Sequence, residues 1–99
     1  MPAKVTISFA LSAVTDLEDI QAYYNSEWAP HVGKRLTGEI IAQIERLTHH
    51  PLSGRIVPEF NVEHFREIIH PPFRIVYRYD KKRVRIVRIW RSERHLKVP

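Results

Sequence analysis

The first apolar residues of the chain alternate with polar or small ones. The apolar positions are Val5, Ile7, Phe9 and Leu11, and the intervening ones are Lys4, Thr6, Ser8 and Ala10. A period of two is typical of a half-buried strand, so the pattern predicts a strand over residues 4–10. The alternation and the acidic residues that follow it argue against a signal peptide. We therefore expect a cytoplasmic protein whose mature chain starts near Met1.

Two stretches of helical periodicity follow this strand. The first apolar stripe comprises Ala13, Leu17, Ile20, Tyr24 and Trp28. Ser12 is a candidate N-cap for this helix, and Thr15 and Glu18 have the spacing of a capping box. Pro30 suits the first turn of a second helix. The second stripe comprises Val32, Leu36, Ile40, Ile41, Ile44 and Leu47. The two stripes predict a helical hairpin with one apolar face.

Glycine and proline positions refine this hairpin. Gly33 and Gly38 lower helix propensity, and we interpret them as positions where the two helices approach closely. The second helix should end at His49-His50, because a residue before proline, here Pro51, disfavours helical geometry.

The second half of the chain predicts a loop and three strands. The loop covers residues 51–64, the strands cover 65–70, 73–79 and 84–91, and a turn lies at 80–83. The element order is βααβββ. We expect an α+β fold in which the helical hairpin packs on one face of a small antiparallel sheet, with residues 1–99 forming one domain.

A short turn at residues 80–83 would place Tyr79 opposite Val84 and so sort the last two strands by face. The predicted core face comprises Phe73, Ile75, Tyr77, Tyr79, Val84, Ile86 and Trp90. The other face comprises Arg74, Val76, Arg78, Arg85, Val87, Ile89 and Arg91. Arg78 opposite Arg85 indicates an anionic partner, because facing like charges destabilise a bare sheet. Arg88 falls on the apolar face, which leaves open either a bulge or a carboxylate partner.

Charge is distributed unevenly between the two halves. The net charge is +5, but residues 1–50 carry four basic and six acidic residues, whereas residues 51–99 carry twelve basic and five acidic ones. Such a basic half could meet a polyanion or an acidic protein, and the alternative is a solubilising surface. Cysteine is absent, which excludes disulfides and cysteine zinc sites. The adjacent pair His49-His50 does not have metal-ligand spacing, so we expect no metal and no cofactor. No apolar run is long enough to span a membrane.

The arginines are the strongest candidate site. Arg66, Arg74, Arg91 and Arg94 come from different strands and the tail, yet could converge on one side of the sheet. Such a cluster could stabilise charge on a phosphate during strand cleavage or bind nucleic acid or an acidic protein. A solvated edge with cation–π contacts is the alternative. Nothing distinguishes the carboxylates of Glu59, Glu63 and Glu67 from a solvated loop.

Several segments in series resemble the ParE/RelE family of toxins from bacterial type II toxin–antitoxin pairs. They are Asp16-Leu17 with Ile20 and Tyr23-Tyr24, Glu27-Trp28, Ile44 to Pro51, Gly54-Arg55 with Val57-Pro58-Glu59, Arg66-Glu67-Ile68, Phe73 to Arg78, and Ile86 to Leu96. The resemblance covers nearly the whole chain and implies a helical hairpin on an antiparallel sheet. It also implies a small, acidic, partly disordered antitoxin as partner.

The family has two branches, which differ in target. RelE-like members cut mRNA in the ribosomal A site, whereas ParE-like members poison DNA gyrase. Arg74 matches a catalytic arginine of the nuclease branch, and Arg66 lies near a second basic position. Arg91 stands where many members carry histidine, so a general base is missing unless His95 folds back. The tail also has no tyrosine where RelE-like enzymes place one.

The resemblance therefore favours gyrase inhibition. The alternatives are a ribosome-dependent endoribonuclease, with Arg66, Arg74, Arg91 and His95 as its catalytic set, and a non-toxic member that only binds an acidic antitoxin. Target binding would fall to a basic set formed by Arg66, Arg74, Arg78, Arg91 and Arg94. We expect Arg74→Ala to weaken toxicity and to leave the fold intact.

Overall fold

The computed structural model describes residues 5–92, in which two helices pack on one face of a five-stranded sheet. The elements are β1 (Thr6–Phe9), α1 (Leu11–Ser26), α2 (Pro30–Glu45), a 3₁₀ turn (Arg46–Thr48), β2 (Arg55–Ile56), β3 (Phe65–His70), β4 (Phe73–Asp80) and β5 (Arg83–Arg91). The predicted α+β fold, with a helical hairpin on the sheet, is confirmed.

The sheet is mixed and not purely antiparallel as expected. Its strand order is β1-β5-β4-β3-β2, and β1 pairs in parallel with β5, from Thr6 opposite Arg83 to Phe9 opposite Ile86. Parallel neighbours need a crossover connection, and the helical hairpin is part of the connection here. The remaining pairs are antiparallel. Strand β2 lies inside the predicted loop, and its two residues are too few to show an alternation.

Helix α1 begins one residue before the predicted cap. The N-cap is Ala10, which makes no side-chain capping bond, and Leu11 is the first helical residue. The Ser12 hydroxyl instead donates to the Val87 carbonyl of β5 at 2.7 Å. Ser12 therefore joins the helix to the sheet, and the capping box expected at Thr15–Glu18 lies inside the helix.

The helical hairpin closes at a tight turn. Pro30 occupies the first turn of α2 as predicted. A Cβ on Gly33 would lie 3.0 Å from the Tyr24 Cβ, so this glycine does allow close approach of the helices, whereas Gly38 faces open space. Trp28 was expected in the core, but it sits in the turn with φ 59° and is 92% exposed.

The core lies between the helices and the inner face of the sheet. Its buried members are Ala13, Ile20, Leu36, Ile40, Ile44, Leu47, Phe73, Ile75, Tyr77, Val84, Ile86 and Ile89. The stripe predicted for α2 supplies four of these residues. Among the described residues, neither helix has the length and hydrophobicity of a membrane-spanning segment.

A bulge in β5 divides the β4–β5 hairpin into two registers. Near the turn the pairing is as predicted, with Tyr77 opposite Ile86. The next pair is Val76 opposite Arg88, which leaves Val87 as the extra residue. Because side chains alternate along a strand, one added residue exchanges the two faces for the rest of β5.

The bulge corrects three predicted positions. Ile89 lies in the core, whereas Trp90 lies opposite Arg74 on the face turned away from the helices, called here the outer face. Arg91 lies opposite Phe73 and so on the helix side. Arg74 and Arg91 were expected on one surface and lie on opposite sides of the sheet.

Candidate functional site

Arg74 lies on the outer face of β4, the middle strand of the sheet, and is held by two carboxylates. Its Nη1 and Nη2 donate to Glu59 at 2.8 and 2.9 Å, and its Nε donates to Glu67 at 2.7 Å. The side chain is only 7% exposed. The hydrogen bonds that Arg74 donates to Glu59 and, to a smaller extent, to Glu67 raise the pKa of Arg74 above its ordinary value despite burial. The guanidinium is therefore a permanent cation whose fork is already occupied.

Glu67 is the buried centre of this arrangement. Its side chain has no exposed surface, and it also accepts a hydrogen bond from Arg55 Nε at 2.7 Å. A buried carboxylate is tolerated when cations and hydrogen bonds compensate it, and two guanidinium groups do so here. We call Arg55, Glu59, Glu67 and Arg74 the carboxylate–arginine network. Interpreting Glu59 and Glu67 as solvated loop carboxylates was wrong.

A buried tyrosine fixes the loop that carries part of this network. The Tyr77 hydroxyl donates to the Pro51 carbonyl at 2.7 Å and accepts the Gly54 N–H at 3.0 Å. Burial raises the pKa of Tyr77, so the hydroxyl stays protonated and able to donate. A Cβ on Gly54 would lie 2.6 Å from this hydroxyl and 2.7 Å from the Glu67 carbonyl. Only glycine fits at this contact.

The fixed loop forms one wall of a groove on the outer face. The groove encloses about 600 Å³. Its apolar lining, called here the apolar groove, comprises Phe60, Val62, Phe65, Val76, Val87 and Trp90. Glu59 and Arg88 also line it. Of the apolar residues predicted for this face, Val76 and Val87 line the groove, whereas Ile89 lies in the core. Phe60 and Val62 of the loop are added members.

Helix α1 completes the β5 edge where β1 ends. The Asp16 carboxylate accepts the Ile89 N–H at 2.8 Å and two hydrogen bonds from Arg88 at 2.9 and 3.0 Å. The Arg88 guanidinium also lies 4.8 Å from the Trp90 ring centroid. Both explanations considered for Arg88 are correct, since the strand is bulged and the arginine has a carboxylate partner.

The other arginines of the predicted basic set lie apart from Arg74. Arg66 lies opposite Tyr77, hence on the helix side, and donates to the Gly54 carbonyl at 3.0 Å. Its Nε is buried without a hydrogen-bond partner among the described residues. Arg91, also on the helix side, lies 5.8 Å from the ring centroid of Phe73.

Arg78 is the half-exposed member of the basic set on the outer face. Its Nη2 lies 3.6 Å from the Asp80 carboxylate, and it faces Arg85 across the hairpin as predicted. Arg94 and His95 lie outside the described residues. The expected single cluster is therefore wrong for the described arginines, because the bulge and the strand parity divide them between two faces.

The structural roles of two buried carboxylates were missed from the sequence. Asp16 lies on the apolar stripe of α1, three residues after Ala13 and four before Ile20, so helical spacing could have marked it as buried. Glu67 has the strand parity of Arg74, which could have predicted their contact. Within residues 5–92, no group of three or more histidine, aspartate or glutamate side chains is placed to hold a metal ion.

Comparison with known families identifies the chain. The family model described as "ParE toxin of type II toxin-antitoxin system, parDE" matches residues 7–96. The chain belongs to the ParE toxin family. It is thus a toxin of a type II toxin–antitoxin system. The search of curated proteins found no match.

Solved structures support the same fold. A chain of the chromosomal ParDE toxin–antitoxin system from P. aeruginosa superposes with a TM-score of 0.76 at 24% identity, over 90% of this chain and 97% of that one. A chain of the toxin–antitoxin complex RelBE2 from Mycobacterium tuberculosis gives a TM-score of 0.66 at 18% identity, over 90% and 99%.

Three of the segments that resemble the ParE/RelE family meet in the carboxylate–arginine network. Gly54, Arg55 and Glu59 come from one segment, Glu67 from the next, and Arg74 from the third. Their side chains or backbone atoms contact one another directly or through Tyr77. In this ParE-family toxin, several of the residues that carry the family resemblance therefore serve to hold a loop against the sheet.

Proposed function

We propose that this ParE-family toxin inhibits growth by binding and poisoning DNA gyrase and does not cleave RNA. The supporting observation is the state of Arg74, the residue that matches a catalytic arginine of the nuclease branch. Three of its nitrogen atoms donate to carboxylates. A guanidinium paired in this way has no fork free for a phosphate that gains charge during cleavage.

The charge around Arg74 also supports this proposal. The carboxylate–arginine network contains two guanidinium groups and two carboxylates, so its formal charge is zero. Arg91 lies on the opposite side of the sheet and adds no further cation to this network. Without a histidine at that position, a general base is missing as well, which lowers the rate of strand cleavage by roughly 10²–10⁴-fold.

A supercoiling assay tests the gyrase proposal. Purified toxin should block the conversion of relaxed plasmid to supercoiled plasmid by purified gyrase and ATP. Cells induced for the toxin should keep intact transcripts by primer extension, while plasmid from the same culture loses supercoiling. Normal supercoiling at saturating toxin would contradict the proposal, and ribosome-dependent cuts in the transcripts would favour the RelE-like alternative.

A matched pair of variants tests whether the outer face contacts the target. Arg78→Gln removes a half-exposed cation from the outer face, and Lys34→Gln removes an exposed cation from α2. We expect the first to raise the toxin concentration needed for inhibition and the second to leave it unchanged. Equal effects of both variants would show that only net charge matters.

We also propose that the apolar groove receives an amphipathic segment of a small, acidic, partly disordered antitoxin. The groove is lined by apolar side chains, while Arg78 and Arg85 lie on the same face of the sheet. Apolar anchors in a groove with basic residues nearby suit a segment that folds on binding and carries carboxylates on its polar side.

Introducing a carboxylate into the groove tests this docking site. Val62→Asp changes a groove residue that is 36% exposed, and Val14→Asp changes an α1 residue that is 39% exposed and outside the groove. With the antitoxin encoded beside the toxin gene, the groove variant should bind at least about tenfold more weakly, because an apolar contact is replaced by a repelling charge. Unchanged affinity for Val62→Asp would contradict the proposal.

A further inference from the structure

A second cleft lies where the end of α2 meets the β2 edge of the sheet. It encloses about 320 Å³, and its polar lining includes Gln43, Arg46, Ser53 and Arg55. Strand β2 pairs with β3 at two positions, and the cleft lies beside Arg55, the first residue of β2. We propose that this cleft is a binding site for a phosphate group. The site is separate from the apolar groove and does not depend on the gyrase proposal.

Arg55 supplies a guanidinium that is held in place on one side only. Its Nε donates at 2.7 Å to Glu67, whose carboxylate is buried and is itself held by Arg74. The Arg55 side chain remains 60% exposed. The two Nη groups have no partner among the described residues, so a planar pair of donors faces outward from a fixed anchor. This is the arrangement in which arginine binds an oxyanion with little loss of conformational entropy.

Arg46 supplies the second cation of the cleft. Within residues 5–92 its guanidinium makes no hydrogen bond and no ion pair, whereas Arg35, Arg74 and Arg88 are each paired with a carboxylate. The neighbouring acid, Glu45, does not line the cleft, since adjacent residues on a helix point in different directions. Arg46 therefore adds an uncompensated positive charge.

The donors of the cleft fit phosphate better than carboxylate. The Ser53 hydroxyl and the Gln43 amide also have no hydrogen-bond partner among the described residues. Glu67 is the acidic residue of the lining, and two guanidinium groups already compensate it. Two guanidinium groups, a hydroxyl and an amide offer more N–H and O–H donors than the roughly four lone-pair sites of a planar carboxylate can accept. The oxygens of a phosphate are arranged tetrahedrally and accept from more directions. Free phosphate offers all four oxygens, and a nucleic-acid backbone offers the two unesterified ones of each phosphate.

A salt titration with two charge-matched variants tests the site. Binding of a short fluorescent DNA duplex is followed by anisotropy for the wild type, Arg46→Gln and Lys34→Gln. Lys34 lies in the first turns of α2, about 18 Å along the helix from Arg46. Arg46→Gln should weaken binding about tenfold and reduce the slope of log affinity against log salt by about 0.9, the value for one lost phosphate contact. Lys34→Gln should leave the slope unchanged.

Arginine side-chain NMR identifies the anion. Inorganic phosphate should shift the Nε–Hε resonances of Arg46 and Arg55, and acetate at the same ionic strength should not. Displacement of phosphate by the duplex would assign the site to a nucleic-acid backbone, and phosphate shifts that the duplex does not change would assign it to free phosphate. Two outcomes would overturn the proposal. One is an equal salt slope of DNA affinity for Arg46→Gln and Lys34→Gln together with no shift of the arginine resonances by phosphate. The other is equal shifts of these resonances by acetate and by phosphate. Because neither measurement involves gyrase, failure here is distinct from failure of the proposed function.

Discussion

Replacing Arg74 with alanine should destabilise the fold and not merely remove a surface charge. The change leaves the fully buried Glu67 and the mostly buried Glu59 without this cation. Removing one partner of a buried ion pair costs about 3–5 kcal/mol. Small domains are stable by about 5–15 kcal/mol in total, and each kcal/mol lowers the melting temperature by about 4–8 °C at this size. We therefore expect Arg74→Ala to melt at least about 12 °C lower. This revises the expectation from sequence that the fold stays intact.

Urea and thermal unfolding followed by circular dichroism measure this effect. Arg78→Ala is the matched control, since it removes an arginine from the same strand and the same face. Arg78 is half exposed and 3.6 Å from its carboxylate, so its loss should change the free energy of unfolding by about 0.5 kcal/mol or less. Arg74→Lys keeps the charge but cannot form the bidentate contact, and its stability should lie between those of the wild type and the alanine variant.

A double-mutant cycle shows whether the buried carboxylate causes the loss. In a Glu67→Ala background the buried acceptor is absent, so Arg74→Ala should cost at least about 1 kcal/mol less than in the wild type. A loss below about 1 kcal/mol for Arg74→Ala alone is the value of a surface ion pair and would refute the reasoning. Additive losses in the cycle would show that Glu59 or packing carries the effect instead.

Four further substitutions test other parts of the fold. Gly54→Ala should lower the free energy of unfolding by about 2 kcal/mol or more, because the added Cβ would meet backbone and a buried hydroxyl. Gly38 faces open space, so Gly38→Ala should stabilise α2 by about 0.5–1 kcal/mol. Urea unfolding of both variants measures these changes. Asp16→Ala leaves the Ile89 N–H of β5 without its acceptor and should lower the free energy of unfolding by about 2 kcal/mol. Faster amide hydrogen exchange at Ile89 is the local measurement. The hydrogen bond from His70 lowers the pKa of Glu39, so this contact stabilises the fold above the ordinary pKa of Glu39 and is lost as the pH falls through the lowered value. In His70→Asn the carboxyl NMR titration of Glu39 should move upward, and an unchanged titration would contradict this assignment.

The parts of the fold predicted correctly follow local periodicities. Two patterns predicted correctly which face of their element packs against the core. They are the alternation of Ile7 and Phe9 in β1 and the stripe of Leu36, Ile40 and Ile44 in α2. Such patterns are set within a single strand or helix, so neighbours in the sequence suffice to predict them. Strand pairing does not follow from such local patterns. The parallel pairing of β1 with β5 depends on how the helical hairpin between them positions the later strands.

The candidate site was less predictable because one residue decides its geometry. Up to Ile86 the register of the β4–β5 hairpin follows from the turn. Val87 is then an extra residue, so each later side chain of β5 lies on the face opposite to the one that simple alternation predicts. Arg88 was the sequence evidence for this bulge, because simple alternation placed its charged side chain on the apolar face of the sheet. A polar residue on a predicted core face is evidence for a bulge or a buried partner, and here both are present.

The buried network also explains why family likeness and target are separate questions. Gly54, Glu67 and Arg74 are among the positions that carry the resemblance, and the structure uses them to hold the loop against the sheet. A toxin with another target that needs the same loop packing would need the same residues, so their presence in the sequence indicates the fold, whereas the pairing of Arg74 within the network bears on the target. Arg46 and Arg78 lie outside this network, and neither has a short hydrogen bond to a carboxylate within residues 5–92. Variants at those two positions should therefore alter binding while changing the free energy of unfolding by about 0.5 kcal/mol or less, and a larger loss would show that they too serve the fold.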